Sequence, residues 1–252
     1  MPASVGHGRP RSPALGDAAA GVDRVVFIQT STFYRWDNRY VRDVSDSSRD
    51  WGVGVCTLDP DDPHSPDILR AFVEWHNFRG MRSIQAADGR YDHPGVRDLW
   101  SQATELGIVI NSLIPLQAAD ELATLLGEFP NLRVVLDHCL SLTAGPYFDA
   151  TVAKVLELAR FPNLYAKLTF LGSGSGQRYP FEDMHEPLKR FIDAYGPERC
   201  VWGSDFPTEL WCPKVDYAGH LRLFQEGLGL SPSEQSAILG DTAQKLWFDP
   251  LD

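Results

Sequence analysis

Two polar residues interrupt apolar runs where strands should end. His138 lies in Leu136-Asp137-His138-Cys139, and Asp205 in Val201-Trp202-Gly203-Ser204-Asp205-Phe206-Pro207. An aspartate so placed can take a proton from water or hold a metal-bound hydroxide. A histidine can bind a metal or polarise a carbonyl, so together they make a workable hydrolytic pair. Blander readings stand beside this one: a strand-end Asp also caps turns, and a lone His is often a hydrogen-bonded core residue.

Two cations sit inside expected strands, the third and the sixth. Arg82 lies in Arg79-Gly80-Met81-Arg82-Ser83-Ile84, and Lys167 in Tyr165-Ala166-Lys167-Leu168. Alternation puts Leu164, Ala166 and Leu168 on one face and Lys167 on the other, towards a lumen. Each buried cation needs a carboxylate, from the protein or from a bound substrate. The remaining histidines, His64, His76, His93, His185 and His220, read as surface or capping residues.

Elements that could position these residues alternate along the chain. Apolar strands are expected near 25–28, 51–58, 80–84, 108–114, 132–137, 164–170 and 200–203. Helices fall between them at 37–44, 65–77, 94–106, 117–128, 146–160 and 181–195, and two more, 214–227 and 232–247, follow. Ser65-Pro66-Asp67 carries the cap, proline and acid of a helix start. Such alternation means βαβ units and a parallel sheet. Seven strands are one short of a closed (β/α)8 barrel. An open doubly wound sheet would carry a glycine-rich phosphate turn after an early strand, and Gln29-Thr30-Ser31-Thr32 has none. Gly172-Ser173-Gly174-Ser175-Gly176 lacks a P-loop's ending and reads as a flexible loop, as does Thr30 to Trp36.

Composition narrows the function classes. The chain has 252 residues and a formal net charge of -11, with no basic run to receive nucleic acid or an anionic membrane. No apolar run is long enough to span a bilayer. Four scattered cysteines, Cys56, Cys139, Cys200 and Cys212, form no C-x-x-C pair and read as buried free thiols. A cytoplasmic protein acting on a small molecule is the expectation. Residues 1–14 read as disordered, a short helix is plausible over 13–20, and 15–252 should form the barrel domain.

The strings FIQTSTFYRWDNRYVRD, FRGMRSI, VVLDHCL, NLYAKLTFL, VWGSDFP and ILGDTAQKLWF occur in that order. Together they resemble the amidohydrolase-2 family, and within it the group of lactonases on TIM barrels. The resemblance implies an α/β, (β/α)8 barrel hydrolysing a lactone, amide or ester, with decarboxylases as relatives. It implies that Asp205 activates the attacking water and that His138 is a metal ligand or carbonyl polariser. It also places Arg82 and Lys167 towards the substrate. The family's first strand ends in His-x-His, and this sequence has no such pair. The expectation is therefore a barrel lacking its first strand, whether lost or left out of the gene model. Zinc or manganese on His138 and Asp205 would have an incomplete ligand set, so metal-independent hydrolysis and a non-catalytic, ligand-binding barrel remain alternatives. The gap also leaves sheet edges that residues 1–12 or a second subunit of a homo-oligomer would have to cover.

Overall fold

A computed structural model describes residues 21–249. The expected disordered stretch at 1–14, the short helix at 13–20 and the proposed edge cover at 1–12 lie outside these residues. Seven parallel strands pair in chain order: β1 (Val25–Ile28), β2 (Gly52–Thr57), β3 (Phe78–Ser83), β4 (Val109–Ser112), β5 (Val134–Leu136), β6 (Leu164–Lys167) and β7 (Cys200–Val201). Among the described residues they curl into a TIM-like barrel that is open between β7 and β1. The helices between strands are α1 (Arg39–Ser47), α2 (Ser65–Trp75), α3 (Pro94–Glu105), α4 (Ala119–Glu128), α5 (Phe148–Leu158) and α6 (His185–Tyr195). After β7 come α7 (Tyr217–Arg222) and α8 (Pro232–Ser236).

Side-chain alternation along the strands divides the interior in two. One face of the sheet packs Cys56, Phe78, Met81, Ile110, Val134, Leu136, Leu164, Ala166 and Cys200 into the core that also receives the helices. The other face turns Val53, Val55, Val109, Val135 and Val201 into the lumen. Leu246 and Trp247, from the last helical segment, join that second cluster and seal the lower end of the barrel. The register lines up Arg82 with Asn111 and Lys167 with Val201, so a polar layer sits above the valines at the C-terminal strand ends. In a parallel barrel that end carries the site.

Local chemistry shifts several expected boundaries. Ser65 was expected to cap α2, yet it lies inside the helix and its hydroxyl donates to the Asp59 carbonyl at 2.6 Å. Pro66 and Asp67 do occupy the first turn. β6 stops at Lys167 because Phe170 to Gly174 turn helical, which also overturns the flexible-loop reading of that glycine cluster. Its glycines serve close packing: a Cβ on Gly172 would strike the Cys212 sulfur, and one on Gly174 would strike the Leu142 carbonyl. The expected loop at 30–36 contains a helical turn, Ser31–Tyr34. The four cysteines are buried free thiols, as expected.

Candidate active site

The polar layer is centred on a residue absent from the candidate list. Asp137, fully buried, extends the lumenal face of β5 two residues beyond Val135. Its carboxylate meets Arg82 at 3.0 Å and Lys167 at 3.3 Å, and accepts a hydrogen bond from Asn111 Nδ2 at 3.3 Å. Both cations are thus paired internally, one of the alternatives left open for them. Burial alone would push the Asp137 carboxyl up. Lys167, then Arg82, then His138 outweigh it and hold the carboxyl far below the ordinary aspartate range. Two cations against one carboxylate leave this trio with one positive charge in surplus.

His138 and Asp205, drawn from strand ends far apart in sequence, meet above that layer. His138 Nδ1 lies 3.5 Å from Asp205 Oδ2 and shares a 2.8 Å hydrogen bond with the Thr169 hydroxyl. The shorter contact is the hydrogen bond, and the longer one is a charge placed beside the ring. Burial, and next Lys167, lower the His138 pKa, while Asp205 pulls the other way. The balance favours the neutral imidazole.

Backbone conformation aims both groups. His138, Cys139, Leu140 and Ser141 have φ of 54, 47, 61 and 55°, forming a left-handed turn without glycine. Asp205 has a φ of 50° as well. Each such residue costs about 1–2 kcal/mol, and strain of this kind persists where surrounding packing over-determines it. Here Cys139 and Leu140 are buried in the core and anchor the turn. Gly203 brings β7's end against β6. A Cβ there would strike Thr169 and come within 2.8 Å of the Lys167 Cε.

Among the described residues, no three His, Cys, Asp or Glu side chains gather as a metal site would require. His138 and Asp205 are two donors where zinc takes at least three from the protein. Asp137, the next carboxylate, is occupied by Arg82 and Lys167. The described donor set does not fit zinc or manganese, and His7 lies outside the described residues.

The profile of the Amidohydrolase family matches residues 7–248. The chain belongs to this family. An L-fucono-1,5-lactonase of Burkholderia ambifaria is 25% identical over 90% of this amidohydrolase chain and 80% of its own. A solved amidohydrolase from Burkholderia multivorans with bound zinc superposes with a TM-score of 0.74 at 22% identity, covering 93% and 86% of the two chains. A structure described as a 2-pyrone-4,6-dicarboxylic acid hydrolase from Pseudomonas putida gives 0.75 at 23%, covering 95% and 90%. Likeness at that level shows the fold. The family is typically dependent on a divalent metal, which makes the small donor set here a departure. The amidohydrolase is an enzyme by family and relatives, and no helix among its described residues is long and apolar enough to cross a membrane.

Sequence reasoning missed Asp137, Asn111 and Thr169. Asp137 and Asn111 were detectable by period-two alternation, being polar on the lumenal face of apolar strands. Thr169 lies past the end of β6, where no strand pattern applies. Of the histidines read as ordinary, His93 does cap α3, accepting from Gly95 N. His220 is a correction. It is 2% exposed, and neither ring nitrogen has a hydrogen-bond partner among the described residues. It stacks on Trp202 at 5.8 Å and lies edge-on to Phe224. Burial lowers its pKa to about 4. His220 and Leu221 on α7 and Phe224 in the helical segment that continues it are all buried, an i, i+1, i+4 pattern that could have revealed it.

Proposed function

We propose that this amidohydrolase opens a lactone of an acidic or sugar-derived small molecule with an Asp205-activated water. The observation that carries the reading is the Asp205 carboxylate held 3.5 Å from His138, above the ion-paired Arg82, Asp137 and Lys167. Asp205 takes a proton from water as the oxygen attacks the lactone carbonyl carbon. The carbonyl electrons move onto its oxygen, which receives a hydrogen bond from His138. On this reading the Thr169 hydroxyl, 2.8 Å from Nδ1, is the donor of that hydrogen bond, which leaves the ring proton on Nε2 for that purpose. The tetrahedral species collapses, the ring C–O bond breaks, and Asp205 returns the proton to the departing alkoxide. The product is a hydroxy acid. Lys167 and Arg82 attract its carboxylate and that of an acidic substrate, sharing themselves between substrate and Asp137.

The test is a panel of lactones and of carboxylic acids, the latter scored for CO2 release, run on parent protein and Asp205→Asn. Ring opening in the parent that falls about 10²–10⁴-fold in kcat in the variant, with folding intact, supports the reading. CO2 release without ring opening reassigns the scaffold to decarboxylation. Ligand binding with no turnover of either class makes it a binding protein.

A further inference from the structure

Asp205 stands on a loop whose two ends meet on a single ring. Trp202, at the end of β7, lies edge-on to Tyr217 with ring centroids 5.7 Å apart. Phe206, on the other side of Asp205, lies edge-on to the same Tyr217 at 6.1 Å. Edge-to-face contact is a favoured arrangement for rings at such separations. The loop Gly203-Ser204-Asp205 is thus closed across Tyr217, the first residue of α7. Nothing in the mechanism above uses that ring.

The loop needs such a restraint. Asp205 has a φ of 50°, a conformation that an aspartate leaves for negative φ unless its surroundings prevent it. Changing that one dihedral would swing the carboxylate away from His138, which it meets at 3.5 Å. On the inner side Gly203 is packed against Thr169 and Lys167, and within the loop the Ser204 hydroxyl accepts from Phe206 N at 3.2 Å. The outer side is held by α7. Asp216 caps this helix by accepting from Gly219 N at 2.7 Å. One turn on, buried His220 stacks on Trp202 at 5.8 Å, so α7 grips Trp202 twice. The Trp202 N–H also donates to the Ile238 carbonyl at 2.9 Å. Phe206 is 55% exposed by contrast, and among the described residues Tyr217 is the ring it meets.

Resting on the lactonase reading, we propose that Tyr217 is a positioning residue, which holds Trp202 and Phe206 together and so keeps the Asp205 carboxylate beside His138. It acts through Asp205, and its ring carries the role. Losing the ring frees the far end of the loop first, because Trp202 keeps His220 and its backbone tie. Asp205 sits next to that freed end. The effect therefore falls on turnover and not on affinity: a reacting group displaced by about 1 Å costs about 10²-fold in rate.

Hydrogen exchange over residues 203–206, read by mass spectrometry beside steady-state lactone opening, tests this. Tyr217→Ala and the bulkier Tyr217→Leu, which guards against a failure to fold, should both speed exchange of that segment by about tenfold or more. In both, kcat should fall about 10²-fold with KM within about twofold of the parent. Tyr217→Phe should restore exchange and kcat together. Leu221→Ala removes buried apolar bulk from the same helix outside the ring contacts, and should leave both near the parent values. Unchanged exchange in the two ringless variants overturns the clamp, and faster exchange with unchanged kcat overturns the positioning role. An equal loss in Leu221→Ala also overturns it, because any loss of packing on α7 would then do the same. A parent that opens no lactone sinks the hydrolytic reading instead, and exchange alone then decides whether Tyr217 holds the Asp205 loop.

Discussion

The two halves of the barrel lumen obey opposite rules. The lower half is a layer of valines closed by Leu246 and Trp247, and it is stable for the ordinary reason that apolar surface leaves water. The upper half buries Arg82, Asp137 and Lys167 together, with Asn111 beside them. Desolvating three charges is costly, and their mutual attraction offsets that cost only while every partner is present. The lower layer accounts for the fold; the upper one is justified by what it can bind.

Removing the hub of the upper layer should have the largest effect. Asp137→Ala leaves two buried cations without a carboxylate and is expected to destabilise the protein by about 3–5 kcal/mol in urea titration. A loss under about 1 kcal/mol would mean that the cations were solvated all along. The lower layer answers next. Leu246→Ala opens a cavity beneath the valines, with an expected loss of about 2–4 kcal/mol and little change in substrate affinity. A shift in affinity there would erase the division between the halves.

Replacing all three charges sharpens the contrast. Arg82→Met, Asp137→Leu and Lys167→Leu in one protein should be as stable as the parent or about 1–4 kcal/mol more stable, yet unable to bind an acidic ligand. Loss of stability in that triple variant would show the charges to be structural. Acid gives the most graded separation. Asp137's carboxyl is depressed on folding, so its stabilisation is complete above its unfolded value of 3.8 and fades as pH falls below it. His220 acts earlier. Its pKa falls from 6.5 to about 4 on folding, so the unfolded chain takes up the proton first and stability drops between those values, by about 3 kcal/mol. In urea midpoints measured from pH 7 to 3, His220→Phe should flatten the upper window alone.

The division between the halves also explains how much the sequence disclosed. Apolar strands alternating with helices announce a parallel sheet, and seven such strands appear where expected because their signal is local. His138 and Asp205 stand out because they break apolar runs, and the fold brings them together. Pairing is a different matter. That Arg82 and Lys167 share Asp137 depends on register across four strands, which no short window encodes. Thr169 joins His138 only through the left-handed turn, whose four residues carry no glycine to signal it. His220 was misjudged because a histidine beside Arg222 looks like surface until the face shared with Phe224 is drawn.

The seal made by Leu246 and Trp247 carries a consequence for synthesis. These residues leave the ribosome after every strand of the barrel. Until they emerge, the valine layer formed by β2, β4, β5 and β7 has no floor, however many helices already cover the outside. A nascent chain stalled beyond Asp205 would hold the whole polar layer and still expose the bottom of its barrel to chaperones and proteases. Quality control would therefore read completion of the barrel at this seal and not at β7.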